Sequence, residues 1–421
     1  MSLWNGLRIR VKVQMRHQLF IVPLLPVACC LIAGIVIGKY YPVGEGWLLC
    51  GLCGVLLITL LLRYHPRWQT AGIWLATILL GMIIIQYPLP DSEMVQRAGE
   101  RMLAYRDQLL RQYQQWGIGE ENYAIVAAMT LGDKTALTPD IRESFNITGA
   151  GHVLAISGLH LGILYMMVSF LVRGLRLRIV TQVLTILLIW AFAFLVGMSP
   201  SVVRSATMLT IYGLLSLGYR QKMSINVLAF TAIVLLVLKP QSLFDIGFQM
   251  SFLAVLAILL CYPLLNRVFS ERWLMEHRLV RWLWGMTALS LSAQIGVAPL
   301  IAFYFHRFST YFLLSNFVVI PCAYLILVGA ILLFVMRLQV VATVLTTVTA
   351  WMRQALDAIA TLPYASIDGL YPTLSQTILI YIFILLFGIL LTYSYLWFKN
   401  LRYFRSTIKN KMVILFCILL T

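Results

Sequence analysis

Charged side chains are scarce in this sequence. Only 11% of the 421 residues are Asp, Glu, Lys or Arg, and acidic residues are the rarer kind, 15 against 32 basic. A soluble globular chain carries ~25% charged residues, so a water-soluble enzyme and a disordered chain are both excluded. Cysteine is sparse as well: the seven, at 29, 30, 50, 53, 261, 322 and 417, all sit in apolar stretches. Cys50 and Cys53 form a CxxC, but a zinc or redox site needs a second pair, a histidine or a βαβ context. They read as membrane-buried thiols, which behave as small apolar residues. The sequence contains no HxH, no HxxxH and no GxxxxGK[ST] string. No metal, no cofactor and no ATP motor is therefore expected in this chain.

Apolar length is what the chain has instead, with 61% hydrophobic residues and a mean hydropathy of +0.89. A membrane helix needs about 20 apolar residues. Such runs occur at roughly 20–38, 46–62, 70–87, 152–172, 179–197, 200–218, 223–238, 243–262, 282–303, 311–335 and 376–398. A further run, 338–361, is amphipathic and could cross or lie in the interface. The first run is too long for a signal-peptide core, so it reads as a retained helix. The expected fold is an all-α polytopic membrane protein of about 10–12 transmembrane helices, several of them broken, around a central polar cavity.

The net charge of +17 suggests a polyanionic partner, but cytoplasmic loops of any membrane protein collect Lys and Arg. With the N-terminus inside, 21 basic residues fall in inside loops, nine in outside loops, and Arg204 and Arg353 in spans or the interface. That asymmetry sets the N-terminus in the cytoplasm and accounts for most of the charge. It also requires 338–361 to return the chain to the outer side. One outside segment, 88–150, departs from the membrane pattern. Its first half reads as an amphipathic surface helix starting near Asp91 and Ser92. Its second half reads as two short helices, broken at Gly132-Asp133 and capped near Thr138-Pro139, lying over the outer mouth of the spans.

Three polar clusters interrupt the apolar runs. The first, GAGHVLAISGLHLGIL at 149–164, holds Gly149, Gly151, Gly158 and Gly162 with His152, Ser157 and His160. The second, FLVGMSPSVVRSATM at 194–208, starts a helix at Pro200 and places Arg204 one turn in. An unpaired Arg at a span centre costs ~2.5–3.5 kcal/mol on insertion scales, and Asp245, the only carboxylate near a span core, is its expected partner. Asn226, Gln249 and Ser251 add polar lining. The third, 293–325, carries Gln294, His306, Ser315 and Asn316, with Pro299 and Pro321 expected to break helices. Broken helices are tolerated only beside protein or a wet cavity.

Each cluster also has a plainer reading. Ser157 and His160 could form a nucleophile pair, but on one helix the two side chains point alike rather than at each other, and both serve equally well as caps. The three membrane-proximal histidines lack a metal spacing, and a proton-coupled carrier would need more buried carboxylates than Asp245. The aromatics could stack bases or form interfacial belts; Phe303-Tyr304-Phe305 reads as belt or packing. An intramembrane serine protease using Ser157 and a small-solute or lipid exporter remain as alternatives.

The strings AAMTLGDK (127–134), FNITGAGHVLAISGLHLG (145–162), GMSPSVVRSATM (197–208), LFDIGFQMSFLAVLAI (243–258) and APLIAFYF with SNFVVIP (298–321) resemble, in order and spacing, the competence domain of the ComEC family. The resemblance covers about 120–400. The matching motif residues are Gly132, Asp133, Gly149, His152, Ser157, Gly158, His160, Arg204, Asp245, Phe248, Gln249, Ser251, Pro299, Asn316 and Pro321. The resemblance implies a bacterial inner-membrane channel that brings single-stranded DNA into the cytoplasm during natural transformation, with no catalytic role for the chain itself. Expected partners are an outer-side DNA receptor, a cytoplasmic ATPase motor, a separate nuclease and the lipid bilayer; the oligomeric state stays open. Lys134, Arg142, His152, Ser157, His160, Arg204, Gln249 and Asn316 would line the DNA path. Gly132, Asp133, Gly149, Gly158, Gly162, Pro200, Asp245, Phe248, Ser251, Pro299 and Pro321 would shape it.

On this reading residues 1–87 form a three-span membrane region, 88–120 an outer helical segment and 121–400 the channel domain. Residues 401–421 would be a basic cytoplasmic segment with an incomplete apolar tail. Many ComEC relatives add an OB-like domain outside and a C-terminal metallo-β-lactamase-like domain with HxHxDH. Here 88–120 looks helical and HxH is absent, so strand degradation would belong to another protein or to a downstream segment.

Overall fold

A computed structural model describes residues 22–88, 93–171, 178–217, 225–391 and 394. The basic N-terminal stretch, the caps near Asp91 and Ser92 and the basic tail lie outside the described residues. Helices α1 (Leu24–Tyr40), α2 (Glu45–Leu61) and α3 (Pro66–Gln86) come first. Gly34 of α1 faces the Ile78 carbonyl of α3, and Gly81 of α3 faces that of Leu31, each so closely that a methyl group would not fit. Small residues permit this approach where lipid removes any hydrophobic drive between helices.

Helix α4 (Glu93–Gln115) is the expected polar surface helix; it is followed by α5 (Glu120–Leu131) and α6 (Pro139–Ile147). A 3-10 turn (Gly151–Val153) leads to α7 (Gly158–Leu171), α8 (Arg178–Leu195), α9 (Pro200–Leu217) and α10 (Ile225–Leu238). A second 3-10 turn (Pro240–Phe244) precedes α11 (Ile246–Leu265), the short α12 (Glu271–Glu276) and α13 (Arg278–Phe305). Strand β1 (Arg307–Ser309), α14 (Phe312–Met336), α15 (Gln339–Ala360), β2 (Ser366–Asp368) and α16 (Leu374–Leu391) complete the order. Five helices, α3, α11, α13, α14 and α16, are long and apolar enough to cross a membrane, and five shorter apolar helices accompany them among the described residues. The chain is an all-α, multi-pass membrane protein; β1 and β2 pair antiparallel, with Phe308 opposite Ile367, as its small two-stranded sheet.

Two sequence expectations are corrected. Helix α5 is an interior helix rather than a surface one. Every residue from Ala124 to Leu131 is buried, in one core with α14 and α15. Its AIVAAMTL run is apolar on all faces, and such a helix is stable only when surrounded. Pro299 and Pro321 break nothing: they lie inside the continuous helices α13 and α14. Membrane helices tolerate such prolines when neighbours satisfy the freed backbone groups.

The amphipathic segment 338–361 does not stand apart from the rest. Its helix α15 folds back on α14, and both ends of the hairpin touch the segment 93–147. At the tip, the Tyr113 ring lies 4.9 Å from Phe334 and Gln339 Nε2 donates to Trp116 O at 3.3 Å. Further along α15, Arg353 pairs with Glu121 at 2.6 Å, and α15 also packs on α6. The hairpin therefore packs on α4, α5 and α6, and the chain beyond it returns to β1 through β2.

Candidate functional site

Thr138 caps α6 by accepting from Ile141 N at 3.3 Å, with Pro139 in the first turn. Just upstream, Gly132 ends α5 in the left-handed conformation, and the Asp133 carboxylate accepts from Thr135 N (3.2 Å) and Oγ1 (2.9 Å). Such an Asx turn explains an acid only 9% exposed. Lys134 is exposed, and its carbonyl accepts from Arg142 Nη2 at 2.9 Å. After α6, Gly149 turns the chain at φ +74°, and a Cβ there would stand 3.0 Å from the Ser309 Cβ. Only glycine fits both the left-handed backbone and that approach. His152 bonds to the Gly149 carbonyl through Nδ1 at 3.0 Å.

The Ser157–His160 geometry differs from the expectation that the two point alike. Ser157 precedes α7, so it is not on the helix at all. The His160 ring folds back so that Nδ1 accepts from Ser157 N (3.3 Å) and lies 3.2 Å from Ser157 Oγ. This is one half of a capping box, with imidazole in the third-position role usually filled by Glu or Gln. His160 has no exposed surface. It positions the start of α7, with its Nδ1 shared between the Ser157 backbone N–H and the Ser157 hydroxyl. Gly158, at the start of α7, is exposed and faces Ser205 Oγ of α9; Gly162 follows one turn later.

Arg204 lies one turn into α9, which Pro200 begins, and is 7% exposed. The pairing read from sequence is present: Arg204 Nη1 donates to Asp245 Oδ2 at 3.3 Å. The same oxygen caps α11 by accepting from Phe248 N at 3.1 Å. The two partners differ in exposure, with side chains 8% and 51% accessible for Arg204 and Asp245. Arg204 Nε is buried with no partner, and Arg204 Nη2 faces the bare backbone of Gly247. The site is thus a buried cation held by a half-exposed anion. Phe248 is buried and stacks on Phe252 at 4.3 Å, with Ser251 half-buried beside them in α11.

Gln249 bridges three elements, donating to Leu243 O at 3.0 Å and accepting from Tyr304 OH at 3.0 Å. Asn316 bonds instead to Ser290 Oγ of α13 at 3.1 Å. The three polar clusters are therefore joined in space: the first meets the second at Gly158–Ser205 and the third at Gly149–Ser309. Arg204–Asp245 ties the second to α11, and Gln249–Tyr304 carries α11 to the third.

Sequence reading missed four participants. Tyr304 was assigned to belt or packing, although it lies inside the third polar cluster. Arg307 was counted only as a loop cation. It joins Glu143 of α6 at 2.8 Å and Asp368 of β2 at 2.5 Å. The Ser366 hydroxyl first, and then the Arg307 guanidinium, hold the Asp368 carboxyl below its ordinary range. No local spacing announces a bridge between residues 143, 307 and 368.

The fold and these contacts define a polytopic membrane protein whose helices are pinned by buried polar bonds. A family model described as Competence protein matches residues 129–394, and the chain belongs to that family, the ComEC family. It is 31% identical to ComE operon protein 3 of Bacillus subtilis over 50% of this chain and 26% of that protein. An uncharacterised protein of Aquifex aeolicus is 33% identical over 47% of the chain and 44% of its own length. Recombination protein 2 of Haemophilus influenzae is 25% identical over 54% and 30%. The chain thus spans less than half the length of each of these relatives. No solved structure matches it.

Proposed function

We propose that the chain is the membrane channel through which single-stranded DNA enters the cytoplasm in natural transformation, without a catalytic step of its own. The Arg204–Asp245 pair carries this reading. A buried guanidinium with an unpartnered Nε and an exchangeable, half-exposed counter-ion suits passing phosphodiesters, which compete with Asp245 for the same donors. Lys134 and Arg142, both exposed at the outer end, gather the strand by charge that salt screens. Gln249, Asn316, His152 and Ser157 offer further hydrogen bonds, while His160 holds the helix start that presents Ser157.

The setting is the inner membrane with the N-terminus in the cytoplasm, which the bias of basic residues in the loops supports. The DNA receptor, the ATPase motor and the nuclease are separate partners. Membership of the Competence protein family and the likeness to ComE operon protein 3 and Recombination protein 2 support a role in DNA uptake. The test is internalisation of labelled DNA by cells carrying Arg204→Ala, at matched protein level and matched surface-bound DNA. A severe loss of internalisation is expected; normal uptake removes Arg204 from the path.

A further inference from the structure

The elbow between α11 and α13 brings exposed apolar and exposed basic side chains together. Val268 and Met275 are each 63% exposed, Leu279 70% and Trp282 49%. Among them stand exposed Arg272, Arg278 and Arg281, with Glu276. The backbone beneath is fixed. Ser270 Oγ accepts from Trp273 N at 3.3 Å to cap α12. The rings of Phe269, Trp273 and His277 form a ladder with centroid spacings of 5.2 and 4.7 Å, and Trp284 meets Phe269 edge-on at 4.9 Å. Phe269, Trp273 and Trp284 thus lock α12 onto the start of α13.

We propose that residues 266–284 form a binding surface for anionic phospholipid headgroups at one membrane face. Continuity picks the occupant. The exposed apolar side chains of the elbow run on into the exposed flanks of α11 (Leu260) and α13 (Leu289), which as spans meet acyl chains. Tryptophan with arginine at such a boundary sits at headgroup depth. Guanidinium groups take phosphate oxygens in bidentate fashion. Arg272, Arg278 and Arg281 against the single exposed Glu276 favour an anionic headgroup over a zwitterionic one. A water-facing DNA platform would leave Val268, Met275 and Leu279 in solvent. The inference is independent of the DNA-uptake reading.

The test uses the full chain in nanodiscs. Its tryptophan fluorescence is quenched by brominated phosphatidylglycerol or, at equal mole fraction, by brominated phosphatidylcholine. The contribution of the elbow is the part lost in Trp273→Phe/Trp282→Phe. We expect that part to be quenched about threefold more by phosphatidylglycerol, a modest share of the bias three basic side chains can give. The preference falls to near unity in Arg272→Gln/Arg278→Gln/Arg281→Gln, and in the unaltered protein when salt is raised from 0.05 to 0.5 M. The salt arm needs no variant that might misfold. Equal quenching by both lipids at low salt overturns the proposal, as does an elbow signal that answers only to oligothymidylate.

Discussion

Oδ2 of Asp245 accepts from both Phe248 N and Arg204 Nη1, and the consequences of losing each partner are unequal. Asp245→Asn keeps a capping oxygen but strands a guanidinium that is 7% exposed. Breaking a buried pair in this way costs ~3–5 kcal/mol at full burial; the half-exposed carboxylate lowers that to about 2–3 kcal/mol. Arg204→Met leaves a carboxylate that water can still reach, at about 1 kcal/mol or less. Thermal unfolding in detergent should therefore show the larger drop in Tm for Asp245→Asn. Equal drops would mean that the buried guanidinium is not the group being stabilised.

Asp368 allows a second residue-scale prediction. Its folded-state carboxyl ionises below the ordinary range, so the stabilisation is complete above the unfolded value of ~3.9. It is lost as pH falls through the lower folded value. Hydrogen exchange across 307–309 and 366–368 should stay flat from pH 8 to 5, once corrected for intrinsic rates, and loosen only below about pH 4. Asp368→Asn should remove that acid step, and a step near pH 6 would implicate another group.

At the scale of elements, the sequence revealed lengths and caps more readily than placement. Thr138, Pro139 and Pro200 mark helix starts where they are found, because capping is a local matter of unpaired N–H groups. Hydropathy could not say where the tip of α14–α15 lies, since α14 passes every composition test for a span. The contacts of Phe334 with Tyr113 and of Gln339 with Trp116 are non-local and leave no periodic trace. Helix α4, with seven charged residues between Glu93 and Gln115, cannot take its C-terminal end through a bilayer. Arg337 should therefore lie on the same side as Gly117, and not on the side of the basic loops. Cysteines introduced at 117 and 337 in a cysteine-free background should react with a membrane-impermeant maleimide from the same side. Labelling from opposite sides would make α14 a true crossing.

At the scale of the whole molecule, fold class was legible because lipid imposes one requirement on every span, namely backbone bonds closed within the segment. The Arg204–Asp245 pair was legible for a related reason, since so few charges lie near the spans that each has few candidate partners. The rest of the site was not. Ser157–His160 looked like two residues on one helix face until α7 was seen to begin at Gly158. Tyr304 reaches Gln249 across 55 positions. The account assembles three polar clusters, spread between residues 149 and 325, into one connected set of contacts and assigns that set to DNA passage. Its most direct test is transformation frequency, with uptake of labelled DNA, in a naturally competent strain deleted for this chain and complemented with it. The account predicts that the deletion leaves DNA bound outside and abolishes transformants, with recovery on complementation. Unchanged transformation in the deletion strain would contradict it.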